Sequence, residues 1–212
     1  MNILISAGPT REYFDSVRFI SNPSSGKMGY ALARQAALRG HRVTLVSGPV
    51  SLEAPKGVRV IQVISAAEMA AACKQAFRTA DVTFMTAAVS DYRPHGRVKY
   101  KKPKHARPLR IVLEPTEDIA AALGRRKKQR ILIGFAMEDH DPHAHAERKL
   151  HKKNCDLIVL NGPENVGRDR AVVELFSPDA GWTGPFRGSK EQVARRLVRA
   201  AEQLVGLRTS RS

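Results

Sequence analysis

The chain of 212 residues predicts an α/β fold: a mostly parallel sheet with helices on both faces, Rossmann-like in class, with a small late β-hairpin. Three observations carry that expectation. Apolar runs of strand length alternate with longer segments of helical periodicity. The first run leads through a loop into a glycine-bearing helix start, Asn22-Pro-Ser-Ser-Gly-Lys-Met-Gly29. The 42% hydrophobic content is enough, at this length, to bury the core of one domain.

Taken in order, residues 2–6 read as a buried strand, followed by a long loop that begins Ala7-Gly-Pro-Thr-Arg11. Residues 25–39 read as a helix, because Met28, Ala31, Leu32 and Ala36 share one face and Gly40 stops it. Ser24 or Ser25 is expected to cap its first turn. Gly26 lets a ligand approach the backbone, and the unpaired N–H groups of a helix start, with Lys27 beside them, suit a phosphate. An ordinary capped helix is the alternative. Residues 42–47 form the next strand, ended by Gly48-Pro49, and residues 59–64 another apolar run. Ala66 to Phe77 is helical in pattern, and Val82 to Met85 is a strand.

The rhythm then breaks. Residues 93–108 hold seven Lys or Arg and no acid, and three prolines and a glycine argue against a regular element there. A strand at 109–113, a helix at 117–127, a strand at 131–135, a helix at 142–153 and a strand at 156–160 follow. Residues 172–176 and Trp182 to Phe186 pair as the late hairpin. Ser189, with Gln192 three residues on, opens the last helix with a capping box. Residues 1–205 are expected to form a single domain and 206–212 a polar, frayed tail.

Composition narrows the function. No signal peptide pattern and no membrane-length apolar window is present, which predicts a cytoplasmic protein without a membrane partner. Cys73 and Cys155, both placed in helical segments, read as reduced buried thiols. The formal charge of +16, from 36 basic and 20 acidic residues, fits nucleic acid or a small ligand rich in phosphate. Aromatics are only 6%, and no basic segment is interleaved with stacking residues, which weakens a single-strand binding platform.

Familiar nucleotide motifs fail. A dinucleotide fingerprint needs G-x-G-x-x-G after the first strand and an acid after the second; the chain offers Ala7-Gly-Pro-Thr10 and then Val46-Ser-Gly-Pro49. A phosphate-binding loop of the G-x-x-x-x-G-K-[ST] kind is broken at Ser21 and Met28. The histidines of His140-Asp-Pro-His143-Ala-His145, with His151, invite a metal, but no cysteine or second carboxylate completes a zinc set. Arg125-Arg-Lys-Lys128 reads as cations closing a helix rather than a localisation patch. The basic stretch 93–108 has more to say. It follows Ala87-Ala-Val-Ser-Asp-Tyr92 at a strand end, where open α/β sheets place their sites, and reads as a flap whose lysines could close over phosphates.

With these residues in view, the chain resembles the bacterial phosphopantothenate–cysteine ligases from about residue 2 to about residue 205. The motifs that carry the resemblance are Ser6-Ala-Gly-Pro-Thr-Arg11, Asp15-Ser-Val-Arg-Phe-Ile-Ser-Asn22, Ser24-Ser-Gly-Lys-Met-Gly29 and Leu45-Val-Ser-Gly-Pro49. They continue as Ala87-Ala-Val-Ser-Asp-Tyr-Arg93, Lys99-Tyr-Lys-Lys102, Gly134-Phe-Ala136 and Asp156-Leu-Ile-Val159. The resemblance implies joining of 4′-phosphopantothenate to cysteine through an acyl-cytidylate, with CTP as the nucleotide and Mg2+ as its metal. It also implies a homodimer with sites at the interface, no nucleic-acid partner and, since the chain starts at the ligase strand, no flavin. By the same resemblance Lys99 is the flap lysine assisting activation, Asn22 contacts the activated carboxyl, and Arg18 with Ala87 and Ala88 helps form the phosphopantothenate pocket. Nucleotide-binding positions are Gly8, Ser24, Ser25, Gly26, Lys27, Asp91, Lys99, Glu117, Asp118, Ile119, Ala120, Phe135, Lys149 and Lys153. The metal ligands are not specified. Departures are Ser90 where alanine is common, a short segment before Lys99, and Gly162 with the loop Pro163 to Arg170 after Leu160-Asn161. A basic nucleic-acid-binding module and a nicotinamide-dependent reductase are the rival readings.

Overall fold

The computed structural model describes residues 1–104 and 106–210; His105 of the basic segment, and Arg211 and Ser212 of the expected tail, lie outside the described residues. Strand β1 (Asn2–Ala7) is apolar and almost wholly buried. The long loop after it is a hairpin that the sequence reading left irregular, β2 (Arg11–Tyr13) paired antiparallel with β3 (Phe19–Ser21). Helix α1 (Lys27–Leu38), strands β4 (Arg42–Ser47) and β5 (Val58–Gln62), helix α2 (Ala66–Phe77) and strand β6 (Val82–Met85) follow within a residue or two of expectation.

The basic segment opens with a second small hairpin, β7 (Tyr92–Pro94) against β8 (Leu113–Pro115). The strand expected at 109–113 is therefore displaced to 113–115 and never joins the main sheet. Helix α3 (Ile119–Gly124) is shorter than expected. It ends at Gly124, where the chain passes so close to Lys153 that a Cβ would lie 1.9 Å from the Lys153 carbonyl oxygen, which requires glycine. Arg125 to Lys128 therefore lie beyond the helix rather than in its last turn. Lys127 is buried and pairs with Asp156 at 2.7 Å. Strand β9 (Ile131–Met137), helix α4 (Pro142–Lys152), strand β10 (Leu157–Asn161), a 3-10 turn at Pro163–Asn165, strands β11 (Arg170–Ser177) and β12 (Gly181–Ser189) and helix α5 (Lys190–Thr209) complete the chain.

The main sheet has eight strands in the order β12-β11-β10-β9-β6-β1-β4-β5. Six run parallel, and the late hairpin β11–β12 adds an antiparallel edge to this same sheet. Helices α1 and α5 cover one face, where Leu32, Ala36, Leu197 and Val198 pack on Ile3, Ile5 and Phe84. Helices α2, α3 and α4 cover the other, with Met69, Leu123 and Leu150 against Leu4, Leu132 and Ile158. A strand buried on both faces has no polar face to alternate, so β1 and β10 carry the continuous apolar runs Ile3–Ile5 and Leu157–Leu160, and even Thr83 of β6 is buried.

The capping box of α5 is present: Ser189 Oγ accepts from Gln192 N–H and the Gln192 side chain accepts from Ser189 N–H. That helix continues to Thr209, so the expected frayed tail from 206 is helical through most of its length. Cys73 and Cys155 are free and buried, and burial pushes each thiol up to about 12. Cys155 sits in the turn before β10 rather than in a helix. No helix among the described residues is long and apolar enough to cross a membrane.

Candidate active site

Strand order reverses between β1 and β6, with β4 and β5 on one side and β9 and β10 on the other. Open α/β sheets bind ligands at such a point, outside the carboxyl ends of the strands. A cavity of about 520 Å³ lies there. Its walls are the start of α1, the chain leaving β6, the start of α3, the ends of β9 and β10, and the loop after β10.

The start of α1 is shaped by two glycines. Gly26 is the N-cap residue and has φ 72°, a left-handed conformation that glycine adopts without strain. Gly29 lies against β1, where a Cβ would come within 2.5 Å of Ala7 Cβ and 2.8 Å of Thr86 Oγ1. The serine cap expected here is absent: no side chain caps α1, and Ser24 Oγ only accepts a long bond from Gly26 N–H at 3.4 Å. The first amides of the helix therefore keep their donors toward a ligand, and the macrodipole adds partial positive charge. Lys27 stands at the rim, its ammonium 2.6 Å from Asp169 Oδ1 and 3.1 Å from the carbonyl of Gly167.

The facing wall is the chain after β6. Ala88 N–H donates to the Gly8 carbonyl at 2.9 Å and Ser90 N–H to Thr10 Oγ1 at 2.9 Å, so the exits of β1 and β6 are tied together. Asn22 joins them, but with its donor turned inward: Nδ2 donates to the carbonyls of Ala88 and Val89, at 3.2 and 3.1 Å. Ala87, Ala88 and Asp91 line the cavity as expected. Gly8 is not a lining residue, though its Cα would lie 3.4 Å from a Cβ on Gly26.

Glu117, Asp118, Ile119 and Ala120 also line the cavity, with Phe135, Lys149 and Lys153. Asp118 caps α3 by accepting from Ala121 N–H at 3.0 Å and lies 3.4 Å from Lys153 Nζ. Glu117 pairs with Lys74 at 2.6 Å, and Lys149 with Glu138. The four-residue spacing of Lys149 and Lys153 on α4 brings both to one wall, as the helical pattern required.

Besides Gly8, two expected residues stand outside this cavity. Arg18 holds Asp15, with Nε 2.8 Å from Oδ2, and donates to the Lys102 carbonyl at 2.9 Å. Burial acts to raise the Asp15 pKa. It is outweighed by the backbone N–H groups of Arg18 and Val17 and the Arg18 guanidinium, with the Lys102 N–H adding a longer bond, so the carboxyl is held well below its usual range. Lys99 is exposed on the basic segment, its ammonium over the Tyr100 ring.

The histidine run forms no metal site. His143 packs edge-on to Trp182 and pairs with Glu174, and His145 pairs with Glu138. Among the described residues, no group of three His, Cys, Asp or Glu could hold a metal ion. Residues that sequence reasoning did not place in the site are Thr86, Thr116, Asn161, Asn165 and Lys190. Thr116 carried no signal of its own; its hydroxyl donates to the Ser90 carbonyl at 2.6 Å and fixes the approach of α3.

Comparison with known proteins agrees with this architecture. The profile of the family described as "DNA/pantothenate metabolism flavoprotein C-terminal domain" matches residues 1–204. The chain is 44% identical over 183 residues to the "Coenzyme A biosynthesis bifunctional protein CoaBC" of Bacillus subtilis, covering 84% of this chain and 45% of that protein. It is 48% identical over 167 residues to a "Cysteine/Cysteine sulfinic acid decarboxylase" of an unknown prokaryotic organism, covering 78% and 46%. The crystal structure of the C-terminal domain of a coenzyme A biosynthesis bifunctional protein CoaBC superimposes with a TM-score of 0.85 at 40% identity, covering 97% of this chain and 95% of that one. The chain thus spans about half the length of the curated relatives it matches.

Proposed function

The chain belongs to the DNA/pantothenate metabolism flavoprotein C-terminal domain family, and from that premise we propose that it is a ligase that joins 4′-phosphopantothenate to cysteine at the expense of CTP. The observation that carries the reading is the convergence, in one cavity, of an uncapped helix start, the Ala87-Ala88 wall and the α3–β9–α4 wall.

A free carboxylate is a poor electrophile, so an amide needs an activated acyl group. In the proposed first step a carboxylate oxygen of the acid attacks the α-phosphorus of CTP, the bond to the bridging oxygen breaks, and pyrophosphate leaves. In the second the cysteine amine attacks the acyl carbon, loses a proton, and CMP departs. Neither step needs an enzyme nucleophile. The residues bind, align and neutralise. The first amides of α1, from Lys27 on, offer backbone donors, and Lys27 one ammonium, to phosphates lying beside Ser24, Ser25 and Gly26. Ala87, whose N–H donates to Ser6 Oγ, and Ala88, whose carbonyl accepts from Asn22, form the wall for the acid. Ile119, Phe135, Lys149 and Lys153 form the wall for the nucleotide.

Mg2+ fits this site only as a companion of the triphosphate. Magnesium at nucleotide sites commonly takes one or two carboxylates with waters and phosphates. Asp91 lines the cavity, and its carboxylate has no partner among the described residues, so it is the residue that would hold the ion. When bound, the ion would neutralise phosphate charge.

The test is turnover of purified protein with CTP, magnesium, phosphopantothenate and cysteine. Pyrophosphate release that requires phosphopantothenate, with product that requires cysteine, is expected. Carbon dioxide release from cysteine without nucleotide would instead favour the activity named for the second relative.

A further inference from the structure

The wall formed by α5 and the loop after β10 contains a cation with no place in the scheme above. Lys190, the first residue of α5, is 9% exposed, yet it lines the cavity. Its ammonium donates to the Asn165 carbonyl at 3.2 Å, and an ammonium has three donors to satisfy. Asp169, the carboxylate that acts on it through space, is hydrogen-bonded to Lys27 instead. Burial, and after it the charge of Lys27, push the Lys190 pKa below that of an ordinary lysine, and Asp169 only partly offsets them. A buried ammonium beside a second lysine is costly unless an anion joins them. The helix start itself is not the site, because Ser189 Oγ takes up the Gln192 N–H and Lys190 N–H donates to the Asp169 carbonyl at 2.8 Å.

We infer that Lys190 is an anion-binding residue which, with Lys27, receives a terminal phosphoryl group of a substrate in this cavity. The inference rests on the ligase reading for the identity of that substrate. The base and sugar would lie by Ile119, Phe135 and Lys153, and the reacting carboxylate by Ala88. The Lys27–Lys190 wall is on neither side, so it suits an end of a ligand rather than its reacting middle. Two such ends exist: the tail of the nucleotide, which departs as pyrophosphate, and the phosphate ester of the acid. Asp169 acts as the resident counter-charge, which the phosphoryl group displaces from Lys27. Its side chain is 86% exposed and can turn to water.

Calorimetric titration at fixed magnesium tests this, with inorganic pyrophosphate, phosphopantothenate and CMP as separate ligands. Lys190→Met keeps the length of the side chain and removes the charge. It should weaken whichever of the first two ligands occupies the pair by about 10- to 100-fold, and leave CMP unchanged. Loss confined to pyrophosphate assigns the pair to the nucleotide tail; loss confined to phosphopantothenate assigns it to the ester. If Lys190→Met fails to fold, Asp169→Asn at an exposed position gives the complementary reading, and should tighten the same ligand. Unchanged affinity for both anions in Lys190→Met, an equal loss for CMP, or no tightening in Asp169→Asn would overturn the inference. Failure of the ligase reading shows separately, as wild-type protein that binds pyrophosphate but never releases it from CTP.

Discussion

Asn22 shows how a side chain can matter to a reaction without touching the reacting atoms. The resemblance cast it as a donor to the activated carboxyl, but its N–H2 group is engaged by the carbonyls of Ala88 and Val89. Asn22→Asp would set a carboxylate oxygen against one or both carbonyls and loosen the wall on which the acid lies. Both half-reactions should then fall by about tenfold or more, rather than the amide-forming step alone. Rapid quench, following pyrophosphate and amide separately, distinguishes the two. Gly29 is a matter of space. An added methyl would collide with Ala7 and Thr86, so Gly29→Ala should cost about 1–3 kcal/mol in urea unfolding and displace the start of α1. The run Ser24 to Gly29 was legible as a phosphate-suited helix start because helix periodicity and glycine are local signals. That no serine caps it was not legible, since the N-cap place falls to Gly26 in a left-handed conformation that no local pattern announces.

At the scale of elements, the parallel strands and helices were readable because each buries an apolar run or face of its own. The hairpins β2–β3 and β7–β8 were not. Each strand is three residues long, too short for a periodic pattern, and they hold through contacts distant in sequence. Lys102 N–H reaches Asp15 at 3.4 Å and Arg18 reaches the Lys102 carbonyl at 2.9 Å, and Asp15 also orders its own turn. It accepts from Val17 and Arg18 N–H at 2.8 and 2.7 Å and from the Arg18 guanidinium, while Val98 N–H donates to the Phe14 carbonyl at 3.0 Å. The hairpin thereby anchors the basic segment. Since the folded Asp15 carboxyl titrates well below its unfolded value of about 3.9, its stabilisation is complete above that value and fades as pH falls below it. Asp15→Asn should therefore lower the melting temperature at neutral pH, and the gap from wild type should narrow as pH drops through and below the carboxylate range. A constant gap would show that Asp15 acts through shape alone. Lys127 was misread for a related reason: its partner Asp156 is 29 residues away, beyond any local pattern.

At the scale of the whole molecule, both small hairpins project apolar side chains into solvent. Val112 is 73% exposed, Tyr100 69% and Tyr92 and Val17 56% each, and exposed apolar side chains of this kind suit an interaction surface. We propose that this face, rather than the late hairpin absorbed into the main sheet, joins two copies about a two-fold axis. Such a dimer would present Arg18 and Lys99, which stand outside their own cavity, to the cavity of the partner. Lys99→Gln alone should suppress pyrophosphate release by on the order of a hundredfold. Mixing it with Asn22→Asp under exchange conditions should restore activity, because one cavity per mixed dimer then has both residues intact; no recovery would place Lys99 in the cavity of its own chain. The central claim, that this cavity activates a carboxylate on the α-phosphate, is tested most directly by the fate of oxygen. Phosphopantothenate labelled with oxygen-18 in its carboxylate, turned over with CTP and cysteine, should yield CMP carrying one labelled oxygen and unlabelled pyrophosphate. Label in inorganic phosphate, with CDP as the nucleotide product, would contradict it.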